Sequence, residues 1–172
     1  MSQRAVLQNG SGVEVGTTSN PLIVNSNSRV VSKLLTFTGG TPHALGDHDG
    51  NNDPYVIFTV TGTVLASVFG ICGTGITGSA TIECGVVGSG QTATIIPQIV
   101  DAADLIADEI WTDATPTTFA EALPGKKIIS GNIILTLGAA NITAGTILMY
   151  CVWEPLSSGA TVVAGTGSQG AI

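Results

Sequence analysis

Asp47, Asp49, Asn51 and Asp53 place oxygen-bearing side chains at alternate positions of the run GDHDGNND, the densest set of ligand-type groups in the chain. Carboxylate and amide oxygens suit a hard cation such as calcium, and His48 adds a nitrogen. The spacing departs from an EF-hand loop. Asn52 stands where the sixth-position glycine is required, and Phe58 stands where the twelfth-position bidentate Glu should be. Asp, Asn and Gly also make Asx-turns and tolerate left-handed backbone, which a long loop between strands needs. The expectation is a structural loop with no required metal and no cofactor.

The other groups that could do chemistry are sparse. His43 and His48 are the only histidines, and both lie in this loop, so a Ser-His-Asp or Cys-His scheme would need a nucleophile from elsewhere. No G-x-S-x-G, S-x-x-K, H-E-x-x-H or G-x-x-x-x-G-K-[ST] sequence occurs. GTGITG, 73–78, has the G-x-G-x-x-G spacing of a dinucleotide turn, but that turn must open a helix whose N-terminus holds the pyrophosphate. The next residues are SATIECGVVG, where Ala80, Ile82, Cys84 and Val86 alternate with Thr81, Glu83 and Gly85 as in a half-buried strand. The spacing therefore predicts a glycine-rich hairpin. Asp104, Asp108 and Glu109 could supply paired carboxylates, but a solvated acidic face is the simpler expectation. Trp111 and Trp153 lie in mostly apolar runs and are expected as core or subunit-interface anchors. The sequons at Asn9 and Asn141 are read as chance matches, since the N-terminus lacks the apolar stretch of a secretory signal.

With 172 residues the chain fits one domain with a real core. Only 10% of residues are charged, against about 25% in an ordinary soluble domain. A surface so poor in charge and rich in Thr, Ser, Gly and Ala predicts burial against other copies or a partner. The formal net charge is −7, and Arg4, Arg29, Lys33, Lys126 and Lys127 form no stripe, so nucleic acid and anionic membranes are not expected partners. No apolar stretch approaches the length needed to span a bilayer as a helix. The cysteines, Cys72, Cys84 and Cys151, are odd in number, lie in apolar runs and lack C-x-x-C spacing, which predicts reduced core thiols.

These groups must be positioned by strands. RVVSKLLTF (29–37), YVIFTVTGTVLASVFGIC (55–72, divided near Gly62), 79–87, QTATIIPQIV, KKIIS, NIILTLG and TILMYCVWEPL are strand-like, with Pro97 marking an edge or a strand end. DAADLIADEIW, 101–111, is the one helical candidate, a short helix or only a turn of one. The expected fold is all-β: an antiparallel β-sandwich, jelly-roll-like, with at most one short helix. Residues 1–28 read as an extended N-terminal arm with an apolar patch at Leu22, Ile23 and Val24 suited to an interface. Residues 29–156 read as the sandwich, and 157–172 as a Gly/Ser/Thr/Ala-rich tail.

The segments GDHDGNNDPYVIFTVTGTVLASVFGIC, IADEIWTDATPTTFAEALPGKKIISGNIILTL and ANITAGTILMYCVWEPLSSG resemble small proteins encoded among the virion genes of tailed bacteriophages, usually known only as structural proteins. The likeness runs from about Arg29 to Val163 and brings no catalytic residue with it. It implies a virion component, made in the host cytoplasm. A capsid decoration protein, a homo-oligomer and by analogy a trimer, bound to the major capsid protein, is the leading expectation. A tail, fibre or spike subunit binding a host glycan is the first alternative. A calcium-dependent carbohydrate-binding module or small hydrolase using the 43–53 loop is the second.

Overall fold

A computed structural model of the chain describes residues 6–7, 13–17, 20–24, 28–40, 42, 44–48, 54–88 and 91–166. The stretch read as an arm contains strands of its own. β1 (Val6–Leu7), β2 (Val13–Thr17) and β3 (Asn20–Val24) form a three-stranded antiparallel sheet in the order β1-β2-β3. Leu22, Ile23 and Val24 lie on its outer strand, in register with Val15, Glu14 and Val13.

The remaining strands make two sheets. β4 (Arg29–Thr36), β6 (Val64–Thr77), β10 (Lys127–Ile129) and β12 (Ala144–Pro155) form one in the order β10-β6-β12-β4, with the short β9 (Ile110–Trp111) on the same edge of β6 as β10. β5 (Pro54–Thr61), β7 (Thr81–Gly88), β8 (Gln91–Ile99), β11 (Asn132–Gly138) and β13 (Thr161–Ala164) form the other, in the order β13-β5-β11-β7-β8. All pairings are antiparallel. The chain runs as one long hairpin with β7–β8 at its tip, pairing β4 with β12, β5 with β11 and β6 with β10. Rolling that hairpin sets β12 beside β6 and β11 beside β7, which is the jelly-roll arrangement.

Alternation builds the core. Along β12, Gly145, Ile147, Met149, Cys151 and Trp153 are buried while the residues between them are only half-covered. Ile133, Leu135 and Leu137 of β11 and Ile82 and Cys84 of β7 meet them from the opposite sheet in a single apolar cluster. β5 breaks the alternation at Ile57 and Phe58, both fully buried, because a bulge lies opposite Ile133 and Ile134 and turns both side chains inward. Gly62, at φ +71°, divides β5 from β6 as its position suggested.

Two expectations change, and the helical candidate takes its shorter form. GTGITG is not a hairpin loop: Gly73–Thr77 is the end of β6, and the turn after it carries the chain across to β7 in the opposite sheet. Glycine content marks a bend but does not say which sheet receives the next strand. Residues 101–111 form a single 3-10 turn, Ala102–Asp104, and then β9. Ala102 and Leu105 are drawn fully into the core, and Asp108 adopts φ +69°, which stops helical continuation. The tail is not all tail: Thr161–Ala164 pairs with β5, and Val162 is buried beside Val60. Pro97 does lie on the edge strand β8, next to a bulge that disturbs its pairing with β7.

Candidate functional site

The described part of the acidic loop is held by its own backbone partners. Gly39 N–H donates to Ile142 O at 3.0 Å, and Ile142 N–H donates to Gly46 O at 2.8 Å. Asn141 fills the space between them. Its amide nitrogen donates to Gly39 O at 2.5 Å and reaches Asp47 Oδ1 at 3.3 Å, while its carbonyl oxygen accepts from His48 N–H at 2.8 Å. Beneath the loop the buried Tyr55 hydroxyl shares its proton between the carbonyl oxygens of Ala44, at 2.9 Å, and Asp47. Asp47 therefore faces an amide nitrogen, and His48 Nδ1 is buried with no hydrogen-bond partner. Asp49, Asn51, Asp53 and His43 lie outside the described residues. Among the described residues no group of three or more His, Cys, Asp or Glu side chains is placed to hold a metal.

Asn141 is thus a structural clasp, and replacing it with Ala removes its bonds to Gly39 O, Asp47 Oδ1 and the His48 N–H. Asn141→Ala is expected to lower unfolding free energy by about 2–3 kcal/mol, read from the shift in urea midpoint at constant slope.

Among the acidic residues of 101–121, Asp101, Glu109 and Asp113 each hold a turn and Glu121 bonds a side chain. Asp101 accepts from Ala103 N–H at 3.1 Å, and Glu109 from Ile106 N–H at 2.8 Å. Asp113 accepts from Thr115 N–H at 2.7 Å, and Glu121 from the Thr112 hydroxyl at 3.3 Å. Asp104 and Asp108 are exposed. The thiols are all free and buried, with Cys72 and Cys84 in opposite sheets. Burial first, then the nearby Glu109 and Asp108 carboxylates, pushes Cys72 up to about 11. Burial pushes Cys151 up to about 12, and raises Cys84 as well, with Cys151 and Glu83 adding to the effect. Such thiols are poor nucleophiles.

Of the two roles expected for the tryptophans, the structure places both in the core. Trp111 is fully buried with its indole N–H unpaired, and Trp153 is 5% exposed beneath the Arg29 guanidinium, 5.1 Å from its ring centre.

The unusual surface is elsewhere, on the outward face of the first sheet. Register puts Val30, Ser32, Leu34 and Thr36 of β4 beside Val152, Tyr150, Leu148 and Thr146 of β12. Val152, Tyr150 and Leu148 of β12 face Ser67, Phe69 and Ile71 of β6 on their other side, where Ser67 is buried and donates to Pro124 O at 2.7 Å. Val30 is 64% and Leu34 57% exposed. Phe69 and Tyr150 stack at the centre, ring centres 5.1 Å apart and 17° from parallel. No charged residue lies on this face between Val30 and Thr36, Thr146 and Val152, or Ser67 and Ile71. The nearest ion pair, Lys126–Glu154 at 2.5 Å, sits at its end. The outward face of the second sheet differs, interleaving Thr59, Asn132, Thr136, Thr81 and Glu83 with Val56 and Ile134. The sequence carried a signal for the first face that periodicity alone passes over. TILMYCVW is apolar on both sides of its pleat, whereas a strand with one solvated side alternates.

No family model, no curated protein and no solved structure matches this chain.

Proposed function

We propose that this chain is a non-enzymatic virion structural protein, a homo-oligomeric jelly roll that decorates a capsid by binding the lattice of its major capsid protein. The observation that carries this reading is the uncharged outward face of β4 and β12, where exposed Val30 and Leu34 lie beside the Phe69–Tyr150 stack, on a chain that is only 10% charged. Such patches mark contact surfaces. The jelly roll supports it as an architecture that recurs in viral shells. The carboxylates of Asp101, Glu109 and Asp113 support it too, because they brace turns of the chain's own backbone. The resemblance of residues 29–163 to tailed-phage virion proteins supplies the setting.

The test is binding to purified capsids that lack this protein. The full chain is expected to sediment with them, and deletion of residues 1–28 to weaken binding by about tenfold or more, because multivalent attachment amplifies the loss of each weak contact. Binding of the full chain to tails or glycans and not to heads would overturn the decoration reading. Equal binding by the truncated chain would remove the role of residues 1–28.

A further inference from the structure

The sheet edges of the sandwich are unequally protected. β8 carries Pro97 and two register shifts. β10 is three residues long and bordered by Lys126 and Lys127, and β13 is four residues long and followed by Gly165. Short, charged, bulged or proline-bearing edges resist pairing with another chain. β4 is the long edge strand without Pro, Gly or a bulge in its register with β12, and its charges, Arg29 and Lys33, lie on the inward side of its pleat, away from Val30, Ser32, Leu34 and Thr36. Its exposed Val30 and Leu34 are also the border of the uncharged face. The outward side of this edge strand and the charge-free face are therefore a single continuous surface.

We infer that the face formed by β4, β12 and β6 is where copies of this chain contact one another, with the Phe69–Tyr150 stack at the centre of the contact. This rests on the homo-oligomer proposed above and names its surface. Charge argues for a second copy as the occupant. A partner that brought Asp, Glu, Lys or Arg against this face would leave that charge buried without a counter-ion, whereas the same face on another copy brings none. The chain's −7 is kept away from the contact, so two copies meet without placing like charges together. The layout also matches a contact surface: stacked aromatics at the middle, aliphatic side chains around them, then Thr36, Thr146 and the Lys126–Glu154 pair at the margin. Three strands spaced by about 4.8 Å and eight residues long outline about 400 Å². That footprint is within the range of about 300–600 Å² for the largest apolar patch on a monomer, which is often functional. Two sheets packed face to face and three turned toward one axis both bury it.

The experiment is light-scattering mass of the full chain at concentrations on the order of 1–100 μM, beside the V30K/L34K double variant and a V100K/V163K control. All four positions are more than half exposed, so the folded sandwich should persist, and the circular dichroism spectrum checks that it does. Wild type and control are expected at two or three times 17.3 kDa. V30K/L34K is expected at the mass of one chain, with a dissociation constant raised by about a hundredfold or more. An oligomer unaffected by V30K/L34K, with its β spectrum intact, overturns the inference and leaves the proposed homo-oligomer standing on another surface. A wild type that is monomeric throughout overturns both. A wild-type monomer that associates once residues 1–27 are deleted overturns the inference in favour of those residues as the occupant. Should V30K/L34K lose its β spectrum, a Ser32→Cys variant decides: copies linked through the introduced thiol, by a disulfide or a short cross-linker, support the contact, and none overturns it.

Discussion

Alanine at Gly46 is expected to lower the melting midpoint by about 10–15 °C. Gly46 sits at φ +100°, and a Cβ built there would lie 2.2 Å from the carbonyl oxygen of Ile142. That carbonyl accepts from Gly39, and the Ile142 N–H donates to Gly46, so Ile142 cannot withdraw without breaking both bonds. Backbone strain and the lost hydrogen bonds together amount to about 4 kcal/mol. Gly40 provides the control. No atom lies within 4 Å of a Cβ built on it, and Gly40→Ala should melt within about 2 °C of wild type. Equal midpoints for the two variants would show that the clasp between residues 39–46 and 141–142 does not exist.

Alkaline pH is expected to unfold the protein through its three thiols. Each is raised above the ordinary value near 9, chiefly by burial, with Cys72 at about 11 and Cys151 at about 12. Between pH 9 and 11 the unfolded chain releases these protons while the folded chain keeps them. The folded state binds more protons in that window, so stability is complete below pH 9 and falls as pH rises. When all three thiols contribute the slope is about 4 kcal/mol per pH unit, large against a total of about 5–15 kcal/mol. Urea unfolding from pH 7 to 10.5 checks it, and Cys84→Ala should shed about a third of the slope. A stability independent of pH between 9 and 10.5 would sink the prediction.

Most of the sandwich was legible in the sequence because β-branched and apolar residues at alternate positions mark strands whatever their partners. β4, β11 and β12 lie where RVVSKLLTF, NIILTLG and TILMYCVWEPL placed them. What was not legible depends on distant contacts. GTGITG carries no information about which sheet receives the strand after it. Thr161–Ala164 is too short, between glycines, to stand out from a tail, and its pairing with β5 is decided by Val60 a hundred residues earlier. The helix suggested by Asp101, Ala102 and Ile106 yields to the burial of Leu105 and the return of Ile110–Trp111 to β6. The clasp made by Asn141 was hidden because Asn141-Ile-Thr143 reads locally as a turn. The apolar outward face was spread over β4, β12 and β6, and only their register assembles it.

The rolled hairpin also sets the order in which the molecule can come into being. The first three strands of the sandwich each wait for a partner made much later: β4 for β12, β5 for β11 and β6 for β10 and β12. On the ribosome, the nascent chain therefore carries β4, β5 and β6 with their apolar sides unpaired until nearly the whole sequence has emerged. Closure then comes late and at long range, which makes it slow. During that interval β4, the first of these strands to emerge, waits longest for its partner and is the segment most open to a wrong neighbour, including the β4 of another nascent chain on the same message.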